Sequence, residues 1–182
     1  MNRKISFTKK TVFVNPLYIF HNRMNYNIID ENSIKSTLMI MSTLTGELQT
    51  EGKTYHIKPI SKFFTVKGFE ILLESNKIGS IEYWGWIWKK PKLIINIQGD
   101  DQVWIFEKNE PGLFRKRTNP YITKMKYQGR EVEYKIESDN STSEKESLRR
   151  LSGTASFKEE DRLSCQLGIY LNELLIFDEM DK

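Results

Sequence analysis

The feature that most constrains the fold of this chain is an apolar segment near the end of the sequence. Between Leu163 and Phe177, apolar residues occupy nearly every side of a projected helix, interrupted by Gln166, Asn172 and Glu173. A helix that is apolar all round is surrounded either by lipid or by protein. This stretch is about 22 Å long, shorter than a hydrocarbon core of about 30 Å. We therefore predict a central helix over residues 157–178, enclosed by the rest of the protein.

The sequence also predicts where this helix begins. Ser156 and Glu159 have the spacing of a capping box, in which the serine caps the helix and the glutamate reaches back to it. Glu159, Glu160 and Asp161 then place negative charge at the positive end of the helix dipole. Residues 152–156, just before the cap, are compatible with one short strand.

The rest of the ordered chain has the period of strands. From about residue 36 to 137, polar and apolar residues alternate, and glycine-containing turns punctuate the alternation. The predicted strands are residues 10–14, 17–20, 36–42, 48–50, 54–60, 62–66, 69–74, 78–88, 92–98, 102–108, 113–117, 120–127 and 132–136. Some of these segments are short enough to merge, so we expect about ten to twelve strands. A closed antiparallel β-barrel of about 12 strands around the apolar helix covers every face of the helix and leaves no open edge.

The hairpin around Gln128, Gly129 and Arg130 is the clearest of the predicted pairs. Tyr121, Thr123, Met125 and Tyr127 share one face of the first strand, and Val132, Tyr134 and Ile136 share one face of the second. The opposite faces carry Lys124 and Lys126 on one strand and Glu131, Glu133 and Glu137 on the other. Opposite charges across a strand pair stabilise it by a few tenths of a kcal/mol.

Length and cysteine content indicate one domain that needs no disulfide. The 182 residues fit a single domain spanning 1–182, with the polar stretch 138–151 as a flexible loop. Cys165 is the one cysteine, so no intrachain disulfide can form. We see neither a signal peptide nor a transmembrane segment. We therefore expect a soluble, cytoplasmic protein, with peripheral contact to a membrane as an extension of that expectation.

Three parts of the pattern resemble the tubby-like C-terminal superfamily, which includes tubby domains, LURP-one-related proteins and phospholipid scramblases. Residues 167–175 (LGIYLNELL) are similar to its final helix, and residues 77–81 (KIGSI) to its strand openings. The third part is the series of short strands joined by tight glycine turns. From about residue 30 onward, the chain resembles a distant, bacterial-type member. The resemblance implies a helix-filled barrel and, by analogy, a leaning toward membrane lipids, but no head-group motif carries over.

The charge of the chain is unevenly distributed. Residues 86–130 carry 10 Lys and Arg against 4 Asp and Glu, whereas residues 131–182 carry 7 against 13. Two basic clusters in the middle are candidates for gripping anionic head groups. They consist of Lys89, Lys90, Lys92, Arg115, Lys116 and Arg117. The alternative is a solvated basic turn whose charge is answered by the acidic third of the chain.

Aromatic residues next to the first cluster leave a second choice open. Trp84, Trp86 and Trp88 share one face of a predicted strand, and Trp104 is the fourth tryptophan. Such a row forms either the core wall of a barrel or a surface for a ligand or partner. Core packing is the favoured interpretation.

The sequence does not suggest catalysis. Asp100 and Asp101 lie in a predicted turn, where Asp is favoured by local hydrogen bonding. His21, His56 and Cys165 lack metal-ligand spacing, and no nucleophile elbow is present. We predict no catalytic residue, no metal site and no cofactor.

The predicted function is a non-enzymatic binding module whose basic outer surface contacts anionic (phospho)lipid head groups. The alternative is a protein-interaction or scaffold domain that uses a protein partner. A lipocalin-like carrier and an enzyme are disfavoured, and nucleic acid is not the expected partner.

Overall fold

A computed structural model describes residues 2–13, 22–31, 33, 35–41, 43–62, 65–82, 90–97, 99–108, 121–138 and 151–180. These residues form twelve strands followed by a single helical turn and one α-helix. The strands are β1 (Asn2–Phe13), β2 (Asn22–Asp30), β3 (Lys35–Met41), β4 (Gly46–Thr50), β5 (Lys53–Lys62), β6 (Thr65–Leu73), β7 (Asn76–Glu82), β8 (Lys92–Ile97), β9 (Asp100–Lys108), β10 (Tyr121–Tyr127), β11 (Arg130–Ser138) and β12 (Leu151–Lys158). The 3₁₀ turn Glu159–Asp161 leads into helix α1 (Arg162–Met180).

The twelve strands close into one antiparallel barrel. Each strand pairs with its neighbours in sequence, and β1 pairs with β12 to complete the ring. Closure gives every described strand two partners, which removes the exposed edges on which other chains could pair. The predicted fold, a mostly-β closed barrel of about twelve strands, is confirmed.

Helix α1 lies inside the barrel. Every residue from Ser164 to Leu174 is buried, and these three turns extend for about 16 Å. Because consecutive residues point in all directions around a helix, burial over several turns means that the wall covers every face. Gly168 allows the closest approach, since a Cβ atom there would lie 1.9 Å from the Tyr134 hydroxyl. The predicted enclosure of the apolar helix is confirmed.

The hairpin of β10 and β11 has the predicted faces. Thr123 and Met125 point inward opposite Tyr134 and Val132. The turn residues Gln128 and Gly129 both have positive φ, at 44° and 75°, as a two-residue hairpin with the twist of its strands requires.

The helix begins later than the capping box predicts. Ser156 lies in β12, where it pairs with Lys4 of β1 and Glu133 of β11, and the α-helix starts at Arg162. The start at residue 157 was therefore wrong, although the predicted strand over 152–156 is confirmed and extends to Lys158. The reason is closure, because β12 must pair on both sides to join β11 to β1. Of the predicted loop 138–151, the two end residues belong to strands and the rest lies outside the described residues.

The first two strands also differ from the prediction. β1 begins at Asn2 rather than residue 10, and β2 was not predicted at all. In β2 the inward residues Met24, Tyr26 and Ile28 alternate with polar outward ones, so the strand pattern is present but weak. The predicted strand over 17–20 lies outside the described residues.

A predicted turn at Lys67 and Gly68 is instead a bulge within one continuous strand, β6. Ile60 pairs with Gly68 but Ser61 pairs with Val66, which leaves Lys67 as the extra residue. Gly68 is needed for close approach, because a Cβ atom there would lie 2.5 Å from the carbonyl oxygen of Ile81.

Two smaller turns are shifted. The predicted break at Asn76 and Lys77 falls earlier, at Glu74 and Ser75, and Asn76 already pairs in β7. Asp100 and Asp101, predicted to lie in a turn, begin β9, because each pairs with a residue of β8.

Candidate functional site

The barrel interior is occupied by the chain itself. Tyr170 of α1 packs edge-on against Phe69 of β6, with ring centroids 5.5 Å apart, and its hydroxyl donates a hydrogen bond to the Leu44 carbonyl. The helix thus occupies the place where a barrel-type carrier would hold a ligand. A binding site is therefore sought on the outer surface and at the two ends of the barrel.

Gln166, Asn172 and Glu173, polar residues of the apolar helix, each reach a partner on the barrel wall. Glu173 lies against Lys9 of β1, with Oε1 2.5 Å from Nζ, and it also accepts a hydrogen bond from the Tyr26 hydroxyl. The side chains of Glu173, Lys9 and Tyr26 are almost completely buried. A buried charge is stable only when it is paired and hydrogen-bonded, and this cluster provides both. Burial and the Glu173 charge hold the pKa of Tyr26 well above its usual value.

Gln166 and Asn172 are anchored in the same way by neutral groups. Gln166 Nε2 donates to Ser36 Oγ over 3.0 Å, and Thr123 Oγ1 donates to Asn172 Oδ1 over 2.7 Å. These contacts lie on different sides of the helix, so together with Glu173 they define its rotation inside the barrel. Their role is structural.

At the end where the helix enters, arginines close the barrel. Arg162 Nη1 is 2.5 Å from Asp30 Oδ2, and Nη2 is 2.5 Å from Glu159 Oε1. Arg130 Nη1 lies 2.6 Å from Asp161 Oδ1, and its guanidinium group lies 4.8 Å from the Tyr127 ring centroid. Carboxylates outnumber arginines in both clusters of ion pairs, so this end shows no positive surplus for an anionic ligand.

The cysteine of the chain is buried, and the histidine that the structure describes is exposed. Burial raises the pKa of the Cys165 thiol far above its usual value, so the thiolate is not accessible. His56 lies on the outer side of β5, with Nδ1 4.0 Å from Glu47 Oε2. The described residues contain no group of three or more His, Cys, Asp or Glu side chains placed to hold a metal ion.

The outer face of β8, β9 and β10 combines cations with exposed apolar side chains. Ile105 of β9 is directly opposite Lys92 of β8 on one side and Lys126 of β10 on the other. Ile105 is 38% exposed and Val103, two residues earlier on the same face, is 36% exposed. We call Lys90, Lys92, Val103, Ile105 and Lys126 the β8–β10 face.

Acidic residues answer part of this charge. Glu107 Oε1 lies 2.7 Å from Lys90 Nζ, and Glu107 Oε2 lies 2.7 Å from Lys126 Nζ. Lys92 is 3.9 Å from Glu82. Hydrogen bonds from Lys126 and Lys90 lower the pKa of Glu107 to about 2. The ion pairs of the β8–β10 face therefore join three lysines to two carboxylates.

The structure places only part of the predicted basic site. Lys90 and Lys92 belong to the β8–β10 face, whereas Lys89, Arg115, Lys116 and Arg117 lie outside the described residues. β7 ends, β8 begins, β9 ends and β10 begins at the same rim of the barrel. The chain segments that contain the two predicted clusters therefore leave and return at one rim.

No sequence pattern indicates that Lys126 joins this face. Its alternation assigned Lys126 to the acidic strand β11, and Glu131 is its register partner there. In the structure Lys126 binds Glu107 on the other side, and Lys124 binds Glu131 and Glu133 at 2.6 and 3.0 Å. Whether Lys126 pairs with an acidic residue of β9 or of β11 therefore depends on how β9 and β10 are aligned.

Of the four tryptophans, Trp104 is the one whose environment is described. It is fully buried on the inner face of β9, with its ring 5.5 Å from that of Tyr127. Trp104 thus belongs to the core. Trp84, Trp86 and Trp88 lie outside the described residues.

Comparison with known proteins gives no relative. No family model, no curated protein and no solved structure matches this chain. Within the described residues, no helix has the length and apolarity needed to cross a membrane.

Proposed function

We propose that this protein is a non-enzymatic binding module that contacts anionic (phospho)lipid head groups through its basic outer surface. The observation that carries the proposal is the row formed by Lys92, Ile105 and Lys126 across three adjacent strands. An exposed apolar side chain between two lysines matches the two layers of a membrane surface, with apolar contact below the head groups and cations at their level.

The strength of such contact follows from the charges. A lysine close to an anionic membrane surface contributes about 1 kcal/mol, and this attraction falls off within a Debye length of about 8 Å at physiological salt. Three lysines partly offset by Glu82 and Glu107 predict weak, salt-dependent, reversible binding. The proposed location is the cytoplasm, with peripheral attachment to a membrane.

The architecture supports the tubby-like resemblance that suggested lipids. A closed twelve-strand barrel around a C-terminal helix agrees with the fold that the resemblance implies. Since the helix occupies the interior, the outer surface is the part left for binding. We propose distant membership of that superfamily on this architectural agreement.

The test is co-sedimentation with vesicles of neutral lipid, with and without anionic lipid, at low and physiological salt. The variant Lys92→Glu/Lys126→Glu reverses the two flanking charges. Its matched control, Arg23→Glu/Lys35→Glu, makes the same change in net charge at exposed positions of β2 and β3, across the barrel. We expect the wild type and the control to bind anionic vesicles and the first variant to lose at least tenfold in partitioning.

A third variant separates the apolar contribution. Ile105→Gln keeps the charges but removes an exposed apolar side chain, so it should weaken binding to a similar degree at both salt concentrations. No binding of the wild type at either salt would refute the proposal. Equal losses in the two charge-reversed variants would place the contact elsewhere.

The alternative function, a protein-interaction domain, is favoured by the same exposed apolar pair, Val103 and Ile105. A protein partner would bind this strip without any anionic lipid. The alternative therefore predicts that Ile105→Gln sediments with vesicles to the same extent as the wild type but loses binding to the protein partner.

A further inference from the structure

Glu107 lies between two lysines that come from different strands. Lys90, just before β8, approaches one carboxylate oxygen, and Lys126 of β10 approaches the other, each at 2.7 Å. The carboxylate is thus held at both oxygens from opposite sides. This is the arrangement that two lysines would offer to any oxyanion with two free oxygens.

The two lysines are placed by the barrel rather than by Glu107. Lys126 points outward from β10, where its register partner on β9 is Ile105. Lys90 precedes Pro91, which is buried and whose carbonyl accepts a hydrogen bond from the Phe106 amide over 2.9 Å. The backbone at both ends is therefore fixed against β9, so both side chains can still reach the same point when Glu107 is removed.

Both ammonium groups are also open to solvent. The Lys90 side chain is 62% exposed and the Lys126 side chain is 49% exposed. A lysine ammonium group has three hydrogen-bond donors, and Lys90 and Lys126 each have one described carboxylate partner. Exposed ion pairs are weak and exchange readily, so an anion of higher charge can compete with Glu107.

A neighbouring cluster shows why this one is distinctive. Lys124 is held by two carboxylates, Glu131 and Glu133, and its side chain is only 22% exposed. Lys135 also lies 3.6 Å from Glu133, so that cluster pairs two lysines with two carboxylates, whereas the Glu107 cluster has two exposed lysines for one carboxylate. Of the two clusters, the Glu107 cluster is the one with a positive surplus.

We propose that Lys90 and Lys126 form a two-lysine clamp for a phosphomonoester or inorganic phosphate, and that Glu107 occupies the clamp in the free protein as an intramolecular competitor. The inference rests on the proposed function and adds both a ligand group and a regulating residue to it. Glu107 thereby selects which anions bind, because a dianionic phosphate displaces its carboxylate from the clamp and a monoanionic phosphodiester does not.

The test compares Glu107→Gln with Glu131→Gln. Both variants remove one negative charge from the outer surface, on adjacent regions of the barrel, and both keep the size of the side chain. Binding is measured by co-sedimentation with vesicles of neutral lipid to which phosphatidic acid is added, and separately by NMR titration of lysine side-chain signals with inorganic phosphate. The vesicle arm reports the lipid source of the phosphate and the NMR arm reports the soluble source.

We expect Glu107→Gln to bind phosphatidic acid vesicles roughly fivefold more tightly than the wild type, with little change for Glu131→Gln. Adding Lys126→Met to Glu107→Gln should abolish the gain. Phosphate should shift the Lys90 and Lys126 signals at lower concentration in Glu107→Gln than in the wild type.

The outcomes separate the two proposals. If no variant binds vesicles but phosphate shifts both lysines more readily in Glu107→Gln, the clamp stands and the membrane function fails. If the wild type binds vesicles and the two glutamine variants gain equally, the membrane function stands and the clamp is refuted. An absence of any difference in both arms overturns the clamp as well.

Discussion

The buried pair of Glu173 and Lys9 gives the sharpest prediction about how this barrel is stabilised. Glu173→Gln preserves the size of the side chain but leaves the Lys9 ammonium without its counter-charge. The two side chains are 2% and 5% exposed, so water cannot replace the lost partner. Removing one member of a buried ion pair costs about 3–5 kcal/mol.

This loss is large compared with the stability of a folded domain. Domains unfold with a free energy of about 5–15 kcal/mol, so Glu173→Gln should remove about a fifth of it or more. For a chain of this length the expected fall in Tm is about 6–20 °C, at roughly 2–4 °C per kcal/mol. Lys9→Met should be comparable, because it leaves the Glu173 carboxylate with the Tyr26 hydroxyl as its remaining described partner.

The combined variant tests the physical reason. Lys9→Met/Glu173→Met removes both charges together, so no uncompensated charge stays in the interior. It should cost clearly less than the two single variants added together, with the remaining cost dominated by the Tyr26 hydroxyl, which loses its acceptor. Adding Tyr26→Phe should recover part of that remainder.

The measurement is urea unfolding followed by circular dichroism, with Lys4→Met as the matched control. Lys4 is an exposed lysine on the outer face of the same strand as Lys9, and its loss should change the unfolding free energy by less than about 0.5 kcal/mol. A Glu173→Gln variant within that same range would refute the reasoning. So would a double variant whose cost equals the sum of the single ones.

Three further predictions follow from other contacts. Gly168→Ala should lower the free energy of unfolding by about 3 kcal/mol or more, because the added Cβ would lie 1.9 Å from the Tyr134 hydroxyl. Gly52→Ala meets open space but has a φ of 74°, so it should cost about 1–2 kcal/mol. Urea unfolding of the two variants compares these costs. Cys165 should resist alkylation in the native protein and react only as fast as the barrel opens, so rapid labelling without denaturant would contradict its burial. Because the folded-state pKa of Glu107 is lowered from 4.5 to about 2, its ion pairs stabilise the protein above pH 4.5 and lose this effect as the pH falls toward 2. The difference in unfolding free energy between wild type and Glu107→Gln should shrink over that window, and a difference independent of pH would contradict it.

The sequence by itself determined the layers of this protein. The apolar residues of α1 surround the helix axis, and a helix of that kind must be enclosed whatever encloses it. The alternation in β10 and β11 likewise put Val132, Tyr134 and Ile136 on one face, and the structure turns that face inward. Both signals are local, because the period of the side chains depends only on the backbone of the same element.

Only the tertiary structure decided what each element pairs with. Ser156 and Glu159 have a valid helix-cap spacing, yet Ser156 is taken up by β12, because a strand there closes the ring against β1, more than a hundred residues away in the chain. Lys67 forms a bulge in the pairing of β5 with β6, next to Gly68, which packs closely against Ile81 of β7. Such contacts join residues far apart in sequence, and no local pattern records them.

The same limit applies to the candidate site. The sequence marked Lys90 and Lys92 as a basic cluster, and the structure places both on one face with exposed Ile105. The sequence could not identify Lys126 and Glu107 as members of the same site. Alternation shows on which face of a strand a charged residue lies, but not which neighbouring strand supplies its ion-pair partner. The register of β9 between β8 and β10 made that choice, and with it the two-lysine arrangement around Glu107.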